Sequence, residues 1–400
     1  MISFDEAYKL TLQHIQPLDL ESVDLLSAGG RIAGEDLLAR VDSPSLDVSF
    51  KDGFAVQSRD VSAANPQSPV CLKLVGSVAA GGGWQREVRS GEAVRILSGA
   101  PIPKGTDAVV AEEFTQVESG MVHVMNTAEP GRNILPRGLD VKAGNTVVPA
   151  GQKLSPTAIG LLAAAGLIEV MVVRRPRVAI VATGDEVLAP GQPLVQGKLY
   201  ASNLFTLAAW CQHYGFAVET FVLKDDGERI RLALTTCLRQ FDAVLTSGGA
   251  WKGERDLVVH ILDELGWQKL YHRVRIGPGK AIGFGVYKNK PVFCLPGGPP
   301  SNHMAFLQLA LPGLHKLAGY TQPGLAVVPA VMKETITGQV DWTQFKHGRL
   351  LKDDHHHIFQ PLNYQSRLQE MADLEAIAKI PEGQVELPAG SNVMVQVLRI

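Results

Sequence analysis

Residues 242–265 read Asp242-Ala-Val-Leu-Thr-Ser247, then Gly248-Gly-Ala-Trp-Lys-Gly-Glu-Arg255, then Asp256-Leu-Val-Val-His-Ile-Leu-Asp-Glu-Leu265. The first part is a short apolar run with β-branched residues, which predicts a buried strand. The last part places Leu257, Ile261 and Leu265 at helical spacing behind Asp256, which predicts a capped helix. Between them stand Gly248, Gly249 and Gly253 with Lys252. A glycine loop from a strand end to a helix start lets backbone N–H groups approach an anion, and the helix terminus adds partial positive charge. The spacing is neither the dinucleotide fingerprint nor the P-loop pattern. Taken alone, the loop serves equally as an anion cradle or as a plain connection.

The chain around this stretch has 400 residues, enough for two to four domains. Apolar residues make up 46% and charged residues 20%, the balance of an ordinary globular protein. A formal net charge of −2 gives no basic field for nucleic acid. Cys71, Cys211, Cys237 and Cys294 are widely spaced with no CxxC pair, which argues against a disulfide framework or structural zinc and suits a reducing cytoplasm. The Met1-Ile-Ser-Phe-Asp-Glu6 start lacks a hydrophobic signal core. The most apolar window, 158–173, is too short to span a bilayer and contains Glu169, so no membrane partner is expected.

Ser3 and Glu6 form a capping box for a helix to about residue 15, and a second helical piece is expected over 21–28. From about 56 to 141 the pattern is short strands and turns, with strands over 70–75, 93–96, 108–110 and 121–124. Ser155-Pro156 opens a helix, and Arg174-Arg175-Pro176 reads as an exposed boundary. Strand and helix then alternate. Strands are expected over 178–182, 217–222, 274–276, 282–287 and 292–295, with a turn at Asn289-Lys290 between the last two. Helices are expected from a Ser202 cap to Tyr214, over 227–241, and from a Ser301 cap to about Leu317. Such alternation predicts an α/β layer with a mostly parallel sheet, and ligands bind beyond the carboxyl ends of such strands. Beyond Gly319 the chain returns to short β-strands.

Those expected strand ends carry Thr183-Gly-Asp-Glu186, Asp225-Asp-Gly227, Ser247-Gly-Gly249 with Asp256, and Leu295-Pro-Gly-Gly-Pro-Pro300, and a further loop carries Gly277-Pro-Gly-Lys280. Glycines and lysines suit phosphate, and several carboxylates suit a hydrated Mg2+. Asp226 reads as a helix cap, and Asp185 serves equally as cap or ligand. The repetition over four strand ends gives the loops their weight, and by themselves they fit a Mg2+-dependent phosphohydrolase.

In this order the loops resemble those of the molybdopterin molybdenumtransferases, the MoeA family of bacteria, related to the E domains of gephyrin and plant Cnx proteins. Further matching pieces are Ser49 to Val56 with its Asp-Gly, Leu97-Ser-Gly-Ala-Pro-Ile-Pro-Lys-Gly-Thr-Asp-Ala-Val-Val110, Asn133-Ile-Leu-Pro-Arg-Gly-Leu-Asp140 and Ser366-Arg-Leu368. The likeness covers nearly the full length, including flanking β regions that a phosphohydrolase leaves unexplained. It implies a multidomain α/β plus β protein. Domain I would comprise residues 1–45 and 141–175, around an inserted small β domain II over 46–140. A MogA-like α/β sandwich with a mostly parallel sheet, domain III, would cover 176–320, and a C-terminal β-barrel-like domain IV would cover 321–400. It further implies a cytoplasmic homodimer in which domain II of one subunit faces domain III of the other, and partners among the proteins of molybdenum cofactor biosynthesis. The implied reaction takes adenylated molybdopterin, molybdate or tungstate, and Mg2+, inserts the metal at the dithiolene and releases AMP. Carried over by position, Glu186, Asp225 and Asp256 match the acids that would hold Mg2+, and Asp52, Ser98 and Asp140 match the facing catalytic positions. Thr183, Gly184, Ser247, Gly248, Gly249, Lys280, Pro296, Pro299 and Ser366 match substrate-binding positions. Arg137, Arg273 and Lys51 are basic candidates for the oxyanion.

The departures lie in the ligand loops. Relatives commonly read Ser-Ala-Met-Asp-Gly-Tyr where this chain has Ser49-Phe-Lys-Asp-Gly-Phe54. Trp251 and Lys252 replace small residues, Gly277 stands where relatives carry Lys, and Gly298 where they carry Asn. Two readings follow: an enzyme with re-tuned loops, or a non-catalytic pterin-binding or scaffold paralogue.

Overall fold

The computed structural model describes residues 1–248, 257–353 and 355–398. It divides into two compact units, one of residues 1–21, 151–153 and 172–400, the other of residues 22–150 and 154–171.

The first unit is built on a six-stranded sheet in the order Ala217–Leu223, Arg177–Thr183, Ala243–Ser247, Lys290–Leu295, Gly283–Tyr287, Gln268–His272. The first four strands are parallel, and Gly283–Tyr287 runs antiparallel to both of its neighbours. Alternate residues feed opposite faces. Val178, Ile180 and Leu245 enter one core, and Ala179, Val181 and Val244 the other. Strands covered on both faces read as unbroken apolar runs, which is why the sequence marks them. Asp226 caps the helix Gly227–Gln240, accepting the Arg229 N–H at 3.0 Å. Lys288 and Asn289 both have positive φ and join paired Tyr287 and Lys290, a two-residue type I′ hairpin one residue earlier than expected.

Several local expectations are corrected. Residues 20–24 form a strand, Leu20–Asp24, and only Leu25–Ala28 is helical, with Asp24 as its cap. The alternating exposure of 20–24 is the strand period that the helical reading overlooked. The helix Ser202–His213 is preceded by Ala201, so Ser202 lies inside it and does not cap it. The long helix starts at Pro299 rather than behind Ser301, because prolines at 299 and 300 suit a first turn whose N–H groups have no helical partner. It is also not uniform. Phe306–Ala310 is a π-turn segment directly ahead of Leu311–Leu317, which contains Pro312. A proline lacks the N–H and crowds the carbonyl four residues back, and a widened turn relieves both problems.

The strand Val274–Gly277 does not join the α/β sheet. It pairs with Ile2–Ser3 and Thr343–Lys352 at the edge of the C-terminal sheet. There Thr343–Lys352, His357–Pro361, Val327–Met332, Asn392–Val397 and Ala376–Ile380 close into a five-stranded barrel, the last pairing back to the first. The core of this barrel includes Phe359, Ala378, Ile380 and Val395.

Arg174 is no exposed boundary residue. Its guanidinium donates to both carboxylate oxygens of Asp242 at 2.8 and 2.7 Å, and the Arg177 N–H adds a third bond at 2.8 Å. Burial opposes ionisation of Asp242, but these donors outweigh it and hold its carboxyl below the usual range. Asp242→Ala is expected to lower the unfolding free energy in urea by about 2 kcal/mol, since a bidentate charge-assisted pair and a backbone contact disappear together.

The second unit centres on a six-stranded sheet in the order Ala108–Ala111, Gly53–Val56, Glu92–Ile96, Val70–Val78, Met121–Val124, Thr115–Glu118. Phe54, Leu72, Val110 and Val122 pack its core. Gly53 is required by closeness, because a Cβ there would lie 2.0 Å from the Val110 carbonyl oxygen. Among the described residues no helix is long and apolar enough to cross a membrane; 156–173 is the helix Pro156–Ala164 followed by the strand Glu169–Val173.

Candidate functional site

Register places the carboxyl ends of the parallel strands side by side. Thr183 lies opposite Leu223, Ala182 opposite Ser247, and Ser247 opposite Leu295. The first strand has the second on one side and the third on the other, so the chain leaves these strand ends in opposite directions. A crevice results at such a switch point. A cavity of 560 Å³ opens there. Thr183, Ser247, Gly248 and Gly297 form its strand-end wall, and Val187, Leu199, Tyr200 and Leu204 give it an apolar side. Glu186 and Arg367 bring one charge of each sign. A polar end beside an apolar wall suits a flat heterocycle carrying an anionic group.

Two glycines shape this floor. Gly184 has φ +145, and a Cβ there would approach a Glu186 carboxylate oxygen to 2.7 Å. Gly248 has φ +97, and its Cβ would approach the Thr183 carbonyl oxygen to 2.5 Å. Their amides, however, are engaged within the fold. The Gly184 N–H donates to Leu223 O at 3.2 Å and the Gly248 N–H to Leu295 O at 3.3 Å. These two glycines therefore let the Glu186 carboxylate and the Thr183 carbonyl pack closely against the floor, whereas their spacing in the sequence suggests N–H donors.

Of the expected site residues, Thr183, Glu186, Ser247, Gly248 and Pro299 line the cavity, with Gly184 directly beneath Glu186. Asp225 lies on the neighbouring loop, its N–H 3.3 Å from the Asp185 carboxylate. The Pro296 carbonyl accepts from the Asn302 amide at 2.8 Å. Lys280 does not line the cavity; its ammonium sits 5.1 Å from the ring centroid of Trp342. Arg273 occupies a left-handed turn, φ +72, and its N–H donates to Ile282 O. Ser366 caps the helix Arg367–Ala372 by accepting the Gln369 N–H at 3.3 Å, and the two residues after it reach the cavity. Gly249 and Asp256, with Trp251 and Lys252, lie outside the described residues.

In the other unit, the Ser98 N–H donates to the Asp52 carboxylate at 2.6 Å. Arg137 pairs with Asp42 at 2.6 Å, and its N–H donates to Asp47 at 2.8 Å. The Ala143 N–H, and after it Arg137, hold the Asp42 carboxyl below its usual range. The Asp140 N–H donates to Ser43 O. The Asp52–Ser98 contact thus joins two expected positions 46 residues apart, while Arg137 already has a carboxylate partner.

Sequence reasoning missed Asn203, Asn302 and Arg367. The two asparagine amides meet at Ser247, with Nδ2 to Oγ distances of 3.3 and 3.0 Å. Arg367 directly follows Ser366 in the Ser-Arg-Leu motif, which was its signal. Nothing local marks a single Asn inside an otherwise apolar helix.

The donor set around Glu186 and Asp225 is all oxygen. No group of three or more His, Cys, Asp or Glu that could hold a metal occurs among the described residues. Two carboxylates on adjoining loops are nevertheless what a Mg2+ ion commonly uses when substrate phosphates and water complete its shell, so the residues fit that ion.

Residues 2–166 match the family described as "MoeA N-terminal region (domain I and II)", and residues 179–316 match "Probable molybdopterin binding domain". The chain is 32% identical to "Molybdopterin molybdenumtransferase 2" of Mycobacterium tuberculosis, over 99% of each chain. It is 34% identical to the "Molybdopterin molybdenumtransferase" of Haemophilus influenzae, over 86% of this chain and 85% of that one. Among solved structures, a molybdopterin biosynthesis MoeA protein from Pyrococcus horikoshii superposes with a TM-score of 0.85 at 28% identity, covering 99% of this chain and all of the other. Likeness of this extent, joined to a parallel-sheet switch point and a closed C-terminal barrel, shows that the chain belongs to the molybdopterin molybdenumtransferase family and is an enzyme of molybdenum cofactor biosynthesis.

Proposed function

We propose that the strand-end cavity binds adenylated molybdopterin and that the chain inserts molybdenum from molybdate at its dithiolene, the two sulfurs displacing molybdate oxygen as water, while water cleaves the phosphoanhydride and releases AMP. The cavity between Thr183, Ser247 and Gly248 carries this reading. It has an apolar side for a flat ring, hydroxyls at the strand ends, and Arg367 for an anionic group. Glu186 and Asp225 would hold Mg2+, which when bound offsets charge on the departing phosphate. The chain's own part is positional. Thr183 and Ser247 orient the ligand, Gly184 and Gly248 let Glu186 and the end of the first strand pack close beside it, and Arg367 balances its charge. Asp256 would join the carboxylates, and two copies of the chain in a cytoplasmic setting would bring Asp52, Ser98 and Asp140 of one to the cavity of the other.

Full-length protein given adenylated molybdopterin, Mg2+ and molybdate should release AMP, and tungstate run in parallel reports oxyanion choice. Tight binding of the pterin nucleotide without AMP release under either oxyanion would replace the reading with a non-catalytic pterin-binding role. Glu186→Gln should slow release by about 100-fold, with an unfolding midpoint near that of wild type, because Glu186 is exposed and holds little of the core.

A further inference from the structure

Ser247 ends the third parallel strand with only 5% of its surface exposed, and it forms part of the cavity wall. Two amide groups converge on its Oγ. Asn302, 1% exposed in the helix that starts at Pro299, donates from Nδ2 to Ser247 Oγ at 3.0 Å and to Pro296 O at 2.8 Å. Asn203, in the first turn of Ser202–His213, donates from Nδ2 to Ser247 Oγ at 3.3 Å and to Gly297 O at 2.8 Å. The carbonyls of Pro296 and Gly297 only accept, so they fix both amides with the NH2 group turned inward. Both amides therefore present N–H to the hydroxyl. A serine oxygen has two lone pairs and one hydrogen. With two N–H donors on the oxygen, the hydrogen is left to be donated, and no acceptor for it is found among the described residues.

We propose that Asn302 and Asn203 are positioning residues that fix Ser247 as a hydrogen-bond donor, so that its O–H points at an acceptor oxygen of the bound ligand, an anionic phosphate oxygen above all. An unbraced serine can rotate its hydrogen away or turn a lone pair towards the anion; this one is held in the productive sense before the ligand arrives. The same amides tie the loop after Leu295 to the end of Ala243–Ser247, so one brace sets both the donor and the spacing of two strand-end loops. Gly298 has no side-chain amide to offer this junction. Asn302 lies one helical turn on and supplies one, its own N–H donating to Gly298 O at 2.8 Å. A phosphate-bearing ligand gains from a fixed donor because its own charge makes that bond the stronger kind.

The inference rests on the proposed reading of the cavity, and calorimetry on the full chain with AMP and with adenylated molybdopterin separates the two. Ser247→Ala should weaken binding by about 10- to 100-fold, the range for a lost hydrogen bond to a charged group. Asn302→Leu, close in shape but unable to donate, should weaken it by about 10-fold in the Ser247 background. In the Ser247→Ala background it should cost no more than about twofold, because its effect passes through that hydroxyl. Asn203→Ala gives the same cycle through the second amide, and it decides the matter if Asn302→Leu does not fold. Additive losses in the two backgrounds would reduce the asparagines to loop supports and overturn the inference, as would wild-type affinity in Asn302→Leu. If wild type binds the pterin nucleotide but releases no AMP, the catalytic reading falls while the cycle still judges the brace. If wild type binds neither AMP nor the pterin nucleotide, both fall.

Discussion

Gly248→Ala is expected to abolish measurable ligand binding at the strand-end cavity and to destabilise the fold by about 3 kcal/mol, the cost of left-handed backbone strain added to a steric clash. Two independent facts act at this position. Its φ of +97 is one that side-chain-bearing residues rarely adopt, and an added Cβ would sit 2.5 Å from the Thr183 carbonyl oxygen. That oxygen is backbone at the end of a paired strand, so it cannot swing aside like a side chain. Relief would have to separate the ends of Arg177–Thr183 and Ala243–Ser247, and Thr183 and Ser247 are the walls of the cavity. Gly298→Ala is the control. It lies in the adjoining loop at φ −70, where an added Cβ would meet nothing within 4 Å, and it should change stability by less than about 0.5 kcal/mol. Urea unfolding and AMP titration of both variants make the comparison. Equal behaviour of the two would mean that the close packing at Gly248 is not what shapes the site.

How much of this was legible in the sequence depended on whether a residue's role was local. Asp226 could be recognised as a helix cap because a cap and its partner lie three residues apart. The parallel strands could be recognised because burial on both faces makes an unbroken apolar run. The destination of Val274–Gly277 could not, since Val274 and Ile276 alternate in the same way whether the strand joins one sheet or another. Pairing with Thr343–Lys352, almost 70 residues on, settled it. The strand-end loops were found from their glycines, yet the role of those glycines was not. That Gly248 admits the Thr183 carbonyl while its N–H is bonded to Leu295 is a fact of sheet geometry, not of spacing. Arg367 reaches the cavity from a helix nearly 120 residues beyond Ser247 in the chain, and Asn203 and Asn302 matter only because two helices and a strand end converge. Family likeness pointed to Ser366, which caps the helix that delivers Arg367.

Stability of the chain should fall steeply as pH drops from 6.5 towards 5, before most carboxylates titrate, and two buried histidines set that slope. His303 is 3% exposed and accepts the Trp210 indole N–H on Nε2 at 2.8 Å. Burial, with the nearby His347 ring adding to it, pushes its pKa down to about 3. His315 is also 3% exposed, between the rings of Tyr214 and Tyr320. Burial lowers its pKa to about 4, opposed by the Pro323 carbonyl at 2.7 Å and assisted by Lys153. Both are bases whose folded pKa lies below the unfolded value near 6.5. The unfolded chain therefore takes up protons that the native chain refuses, so the stabilising contribution is complete above pH 6.5 and shrinks as pH falls through the window down to 4 and 3. Each histidine contributes a slope that rises from half of about 1.4 kcal/mol per pH unit at pH 6.5 towards that value near pH 5, and the pair contributes about 3 kcal/mol between pH 6.5 and 5. Urea unfolding at pH 7.5, 6.5, 5.7 and 5.0 reads the slope directly. His303→Gln keeps an acceptor for Trp210 but cannot titrate, so it should lower stability modestly at pH 7.5 and remove about half of the slope. An unchanged slope in that variant would show that His303 takes up its proton without unfolding, and that the Trp210 contact does not hold it neutral.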